Sequence, residues 1–265
     1  MQYFRNSFVT QENGTMNKKN LAILQARMTS TRLPGKVLAD INGRPMIYWQ
    51  IMRIREAKKI DELVVVTSTD QSDDVLTEYL LQNGVLVERG PIDNVLERFL
   101  QALERFRDYE NIVRLTGDCP LVMPNLIDEM VSKFDNSDLD YLSNALEPTF
   151  PDGLDIEIVK RSALIRVSEY PLSATESEHV TLGLKNRMKE FSIKNFSQAR
   201  DLSSLRWTVD YEGDLEFVRK VYYEFKGREL TFNYQDLLDL LTGKPELYNE
   251  ISGNLRNVAL KEIQE

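Results

Sequence analysis

The sequence predicts an α/β fold, a sheet covered on both faces by helices. Short apolar runs recur at Leu21–Leu24, Leu63–Thr67, Val85–Val87 and Ile112–Leu115. Helix-length amphipathic stretches separate them. The runs are nearly continuous in apolar residues, as in strands buried on both faces. Strands that alternate with helices pair in parallel. A chain of 265 residues, 42% of them hydrophobic, can bury the core of one large domain or two small ones.

The elements follow in order. Leu21–Leu24 opens the sheet. Pro45–Lys59 begins on a proline, which suits the first helical turn. Ser72–Gln82 has a serine and two acids at its start and stops at Asn83-Gly84. Val95–Phe106 and Leu126–Phe134 are the next helices, the latter after Pro124. The rhythm breaks after about Asp135. Tyr141–Leu142, Ile156–Val159 and Ser192–Phe196 read as strands there, without clean alternation. Residues 135–200 are therefore expected to form an inserted segment. Trp207–Val209 reads as one more core strand, followed by helices over Asp214–Phe225 and Leu237–Leu241. The main domain is expected over residues 20–245. Residues 1–19 read as a tail or a mis-assigned start, and 246–265 as a polar C-terminal tail.

Charge and cysteine content narrow the function. Lys and Arg number 33 against 42 Asp and Glu, a net charge of -9. Such a chain is a poor general binder of nucleic acid or anionic membranes. One cysteine, Cys119, rules out an internal disulfide and a zinc–thiolate cluster, and fits a reducing compartment. No apolar run approaches membrane-spanning length, and Met1–Asn20 lacks the apolar core of a signal peptide. A cytoplasmic protein is expected.

Against this acidic background one loop is cationic. Gln25-Ala26-Arg27 leaves the first strand, and Ser30-Thr31-Arg32-Leu33-Pro34-Gly35-Lys36 follows. Arg27, Arg32 and Lys36 repel each other unless an anion lies among them. Loops at the carboxyl ends of parallel strands are where such sheets bind ligands. A polyphosphate is the simplest anion to need forked and point-charge donors together. The loop is neither a P-loop nor a dinucleotide fingerprint, because Ser30 and Val37 break the first pattern and Gly35 is its only glycine. The alternative is a loop whose charges only keep it wet. Either way the loop is expected to be exposed.

Two carboxylates are expected at the same edge. Arg114-Leu115-Thr116-Gly117-Asp118-Cys119-Pro120-Leu121 ends a strand, turns at Gly117 and delivers Asp118. Asp210 ends the Trp207–Val209 run, and Asp214 is the better cap for the helix beyond. A carboxylate near a polyphosphate is repelled unless a divalent cation lies between, and Mg²⁺ is the usual one. The alternative for each is a helix-capping role. Together with the loop the pair fits metal-assisted phosphoryl or nucleotidyl transfer. Phe150-Pro151-Asp152-Gly153-Leu154-Asp155-Ile156-Glu157 could bind a polyhydroxylated ligand or be a plain turn. Glu178-His179 carries the only histidine, either packed or in contact with substrate. Cys119 reads as packed rather than reactive.

These residues form a pattern. Gln25–Lys36 resembles the signature of cytidylyltransferases that activate sugar acids, the acylneuraminate and 3-deoxy-manno-octulosonate enzymes. The blocks Arg114–Leu121, Phe150–Glu157, Glu178-His179-Val180-Thr181 and Arg206-Trp-Thr-Val-Asp210-Tyr resemble those of the spore coat polysaccharide biosynthesis protein F group. The resemblance implies a Rossmann-like nucleotidyltransferase fold, glycosyltransferase-A-like. Its mixed sheet would carry helices on both faces and an inserted dimerisation or substrate segment. It implies transfer of CMP from CTP to a sugar acid or related sugar, with release of pyrophosphate, for surface-glycan synthesis. It also implies Mg²⁺ and a homodimer.

The same resemblance distributes the residues. Arg27, Lys36 and Asp118 are the implied catalytic set. Gln25, Ala26, Arg27, Ser30, Arg32, Lys36 and Gly117 would hold the nucleotide, and Asp118 and Asp210 the metal. Asp152, Asp155, Glu157, Glu178 and His179 would meet the acceptor. The Phe150–Glu157 block is not one of the sugar-acid enzymes' blocks. Residues 89–98, RGPIDNVLER, only loosely resemble their base-side loop. Two other classes share parts of the pattern: a nucleotide-sugar glycosyltransferase, and a catalytically silent nucleotide-binding subunit. A diphosphate donor needs fewer cations than this loop carries.

Overall fold

A computed structural model describes residues 18–250. The tail expected over 1–19 therefore lies outside the described residues except for Lys18 and Lys19, and most of 246–265 lies outside them too.

Seven strands form one mixed sheet. They are β1 (Asn20–Gln25), β4 (Glu62–Ser68), β5 (Leu86–Gly90), β6 (Asn111–Thr116), β7 (Tyr141–Ser143), β8 (Glu157–Lys160) and β9 (Ile193–Asn195). Their order is β5-β4-β1-β6-β8-β7-β9. The pairs among β5, β4, β1 and β6 are parallel, as the alternation predicts. β8 runs antiparallel to both β6 and β7. The expected break in rhythm is real, but residues 135–200 supply three strands of this same sheet. A separate two-strand ribbon, β2 (Asp40–Ile41) and β3 (Arg44–Pro45), turns through Asn42-Gly43, both with positive φ. Asn-Gly is the favoured pair for that turn.

Helices cover both faces. On one lie α1 (Met46–Arg55), α2 (Asp74–Gln82), α4 (Pro124–Asp135), α8 (Glu212–Glu224) and α9 (Tyr234–Gly243), packed on Ala22, Leu24, Val65, Val113 and Leu115. On the other lie α3 (Val95–Arg105), α5 (Arg161–Ser168) and α7 (Leu182–Lys185), packed on Leu21, Ile23, Val64, Val66 and Ile112. Successive residues of one strand thus enter opposite cores, as the pleat requires. The short α6 (Ala174–Glu178) closes the set and carries a Ser173–Glu176 capping box. Ahead of α2 lies a 3₁₀ turn, Gln71–Asp73, capped by Asp70, whose carboxylate accepts from the Ser72 N–H; the N-cap of α2 itself is Asp73 rather than Ser72.

One expected strand is absent. Trp207–Val209 is extended and buried but joins no ladder. It is stitched to two loops instead. Trp207 N–H donates to the Asp152 carbonyl (2.6 Å) and Val209 N–H to the Asp118 carbonyl (2.8 Å). Its apolar run satisfies burial without a sheet edge being open beside it.

The topology positions the site. From β1 the chain moves outward through β4 to β5, then returns through α3 to β6 on the other side of β1. Connections therefore leave in opposite directions between β1 and β6. Ligands bind outside the carboxyl ends of strands at such a switch point.

Candidate active site

A cavity of about 480 Å³ opens at that switch point. It is lined by Gln25, Ala26, Arg27, Ser30, Arg32 and Lys36 from the loop after β1, and by Gly117 and Asp118 from the loop after β6. Asp152, Asp155, Glu157, His179 and Asp210 complete the list of expected residues that reach it. Glu178 does not. It is exposed at the end of α6 and lies outside the lining.

The cationic loop is held from behind. The Met28 N–H donates to the buried Asp73 carboxylate (2.6 Å), which also takes the Ser68 N–H at the end of β4 (3.1 Å). The Gly35 N–H closes the loop onto the Met28 carbonyl (2.9 Å). Gly35 has φ 74°, a left-handed conformation that glycine adopts without strain. One turn of 3₁₀ helix, Lys36–Leu38, starts there. The turn directs Lys36 inward. Contrary to the expectation of an exposed loop, Lys36 is only 8% exposed.

The Lys36 ammonium lies between the two expected carboxylates. It is 2.9 Å from Asp210 Oδ1 and 3.6 Å from Asp118 Oδ2, and it donates to the Val209 carbonyl at 2.6 Å. Asp118 and Asp210 thus converge on one point. Burial penalises the Lys36 charge, but Asp118 and Asp210 outweigh it and raise its pKa.

Asp210 is the most heavily compensated acid of the site. Besides Lys36 it meets Arg32 Nη2 (2.8 Å) and Arg206 Nη2 (2.8 Å). Burial alone would raise its carboxyl; the Lys36 charge and donors from Lys36, Arg206 and Arg32 reverse this and hold it well below the usual range. Asp214, the expected cap, accepts from the N–H groups of Asp210 (2.9 Å) and Tyr211 (3.0 Å). That leaves the Asp210 carboxylate directed at the cavity. The Asp118 side chain is more open, 32% exposed, and sits on the cavity wall.

Arg206 is a hub that the sequence reading missed. Its guanidinium reaches Asp152 (3.0 Å), Asp210 (2.8 Å) and Asp214 (3.1 Å). The turn at Gly153 makes this possible. Gly153 has φ 104°, and a Cβ there would stand 2.5 Å from the Thr208 nitrogen and the Trp207 carbonyl carbon. Only glycine lets the 152–154 turn close onto the Arg206–Thr208 segment.

The far wall was also missed in part. Glu157, at the start of β8, pairs across the ladder with Arg114 of β6. Its carboxylate takes Arg114 Nη1, the Tyr141 hydroxyl, Thr181 Oγ1 (2.7 Å) and Lys185 Nζ (2.9 Å). Burial opposes its charge, but Lys185, Arg114 and the donated hydrogen bonds dominate and hold its pKa far down. Arg114 Nη2 continues to Gln25 Oε1 (3.2 Å), linking this wall to the loop after β1. Val180, buried between His179 and Thr181, has φ 27°. A β-branched residue in that region is strained, and such strain gathers at functional sites. Burial lowers the pKa of His179, with Glu178 pulling the other way.

In contrast Arg27 lines the cavity with no hydrogen bond or ion pair to a protein group among the described residues. A second arginine, Arg98, is buried nearby and adds repulsion. The loop thus presents an uncompensated cation beside two that acids hold in place.

Known proteins resemble this chain in sequence and fold. The family model described as "Cytidylyltransferase" matches residues 21–245. The spore coat polysaccharide biosynthesis protein SpsF of Bacillus subtilis (strain 168) is 35% identical over 240 residues, covering 87% of this chain and 97% of that protein. A solved cytidylyltransferase from Leptospira borgpetersenii serovar Hardjo-bovis superposes with a TM-score of 0.83 at 30% identity, covering 89% of this chain and 98% of that one. A CMP:2-keto-3-deoxy-manno-octonic acid synthetase shares the fold, with a TM-score of 0.61 at 21% identity over 78% of this chain and 99% of that one. The chain belongs to the cytidylyltransferase family, and its enzyme class is that of a nucleotidyltransferase.

Proposed function

We propose that the chain transfers CMP from CTP to a sugar-class acceptor in polysaccharide biosynthesis, releasing pyrophosphate. The observation that carries this is the cavity at the β1–β6 switch point, with Arg27 uncompensated beside Lys36 and Arg32. A triphosphate supplies the anion that Arg27 lacks, beside Lys36 and Arg32, which carboxylates hold until it enters. The acceptor hydroxyl attacks the α-phosphorus and gives up its proton to solvent, the α–β phosphoanhydride bond breaks, and pyrophosphate leaves with the electron pair. Arg27, Arg32 and Lys36 hold the triphosphate and stabilise the charge that develops on the leaving group.

The donor set fits Mg²⁺. Asp118 and Asp210 converge on one point, two carboxylates of the kind Mg²⁺ takes together with phosphate oxygens. No third His, Cys, Asp or Glu joins them among the described residues. When bound, the ion would offset the charge of the triphosphate. An entering triphosphate competes with Asp210 for Lys36 and Arg32, which is how the carboxylate would become available. The assembly we propose is a homodimer, and the compartment the cytoplasm. No helix among the described residues is long and apolar enough to cross a membrane.

A pyrophosphate-release assay over the four nucleoside triphosphates, with a panel of sugars and sugar acids, tests the reading. CTP with Mg²⁺ is expected to give the fastest release in the presence of one acceptor. Release with GTP or UTP in preference to CTP would overturn it, as would transfer from a nucleotide sugar without pyrophosphate.

A further inference from the structure

The wall of the cavity opposite the cationic loop is built from Arg114, Glu157, His179, Thr181 and Lys185. If the loop takes the triphosphate, this wall is what remains for the acceptor. Its two formal cations both meet the Glu157 carboxylate, but on different terms. Arg114 Nη1 takes Oε2, and Nη2 is committed to Gln25, so the guanidinium is fixed at both ends. Lys185 Nζ lies 2.9 Å from Oε1. That oxygen already accepts from the Tyr141 hydroxyl and from Thr181 Oγ1 (2.7 Å). A carboxylate oxygen offers about two lone-pair sites, so the ammonium is a third donor where two suffice. Tyr141 and Thr181 are buried, whereas the Lys185 side chain is 28% exposed against 14% for Arg114.

Lys185 is therefore the cation that this wall can spare. When its flexible stem swings the ammonium off Glu157, the carboxylate keeps Arg114, Tyr141 and Thr181, and no buried charge is left unpaired. Lys36 stands in the same relation to Asp210, which keeps Arg32 and Arg206 when a phosphate draws the ammonium away. The neighbouring groups do not suit an anion on this side. His179 is half-buried, and burial favours its neutral form, which can donate a hydrogen bond but brings no charge. Arg206 is shared by Asp152, Asp210 and Asp214, and Arg27 belongs to the loop side. We infer that Lys185 is the group that binds the carboxylate of a sugar-acid acceptor, leaving Glu157 to do so. The inference rests on the cytidylyltransferase reading above.

The test is the binding of matched pairs to the protein saturated with a non-hydrolysable CTP analogue and Mg²⁺, followed by saturation-transfer NMR. The probes are a hexuronic, an octulosonic and a nonulosonic acid, each beside its primary amide, which keeps the shape and removes the charge. The wild type is expected to bind one of the acids about tenfold more tightly than its amide, the order of one charge-assisted contact. In Lys185→Met that preference is expected to vanish, with the amide and the CTP analogue bound as in the wild type. Lys185→Arg is expected to restore it in part. Equal weakening of acid and amide in Lys185→Met would make Lys185 a prop for the wall, and weaker binding of the CTP analogue would place it with the nucleotide; either result overturns the inference. An unchanged preference in the variant overturns it too, as does a wild type that binds no acid more tightly than its amide. Should Lys185→Met not fold, Lys185→Gln, which can still donate to Glu157, takes its place with the same expectations. Failure of the CTP analogue to bind the wild type is a separate result, and it would overturn the nucleotide reading instead.

Discussion

Replacing Arg206 with Met tests whether the acid cluster beneath the cavity is held by charge. The substitution keeps most of the side-chain volume and removes the guanidinium. Arg206 is 8% exposed and contacts Asp152, Asp210 and Asp214. Removing one partner of a buried ion pair costs about 3–5 kcal/mol. Asp210 keeps Lys36 and Arg32, and Asp214 keeps two backbone N–H donors, so the expected loss is near the lower end, about 3 kcal/mol. In a domain of this size that lowers Tm by roughly 6–12 °C. The loss has a pH signature. Burial works against the Asp210 charge, but its cations prevail and depress its pKa. A depressed carboxyl contributes stability that is complete above its unfolded pKa, near ~3.9, and is lost as pH falls toward the folded value. Without Arg206 the Asp210 carboxyl rises, so the variant binds a proton at a pH where the wild type stays charged. The gap between the two is therefore full from about pH 7 down to about pH 4 and narrows only below that, as pH falls toward the wild type's depressed value. Urea unfolding across that range, followed by fluorescence of the buried Trp207, measures it. A loss below about 1 kcal/mol, or a gap that does not change with pH, would refute the reasoning.

Other substitutions divide chemistry from architecture. Lys36→Met is expected to weaken CTP binding by roughly ten- to a hundredfold, the worth of one charge-assisted contact. Because Lys36 is buried it is also expected to lower stability, and unchanged CTP affinity in calorimetry would contradict its assignment. Asp118→Asn, on the open cavity wall, is expected to leave Tm nearly unchanged while depressing pyrophosphate release and its Mg²⁺ dependence; the reverse pattern would make Asp118 a structural residue. Gly153→Ala is expected to destabilise by about 2 kcal/mol or more through the Trp207–Thr208 clash and the left-handed φ, and a wild-type urea midpoint would contradict that. Light scattering at micromolar concentration is expected to give twice the chain mass, and a monomer across that range would rule out the proposed homodimer.

The parts of this fold that sequence reveals are those fixed by local pattern. Apolar runs and helix punctuation locate β1, β4, β6, α2, α3 and α4 to within a few residues. The motifs after β1 and β6 locate both walls of the phosphate side. What stays hidden depends on which distant segments meet. Arg114 and Glu157 are a cross-strand pair, but only the antiparallel placement of β8 beside β6 makes them one. Arg206 gives no signal in its own neighbourhood, because its role comes from the Gly153 turn folding against it. Trp207–Val209 misleads for the same reason. Its apolar content reflects burial, and burial does not require a ladder. Lys36 was expected in solvent because a charged loop usually lies there; the Gly35 turn and the convergent acids reverse that. Glu178 sits beside His179 in sequence, yet the end of α6 carries it away from the cavity.

The central claim is that the cavity between the ends of β1 and β6 receives a cytidine triphosphate through Arg27, Arg32 and Lys36. A crystal structure of the protein with CTP and Mg²⁺ tests this most directly. The account predicts phosphate oxygens within hydrogen-bonding reach of Arg27 and Lys36, with the ion beside Asp118. A triphosphate bound elsewhere, with Lys36 still closed on Asp210 and Arg27 in contact with no phosphate, would contradict it.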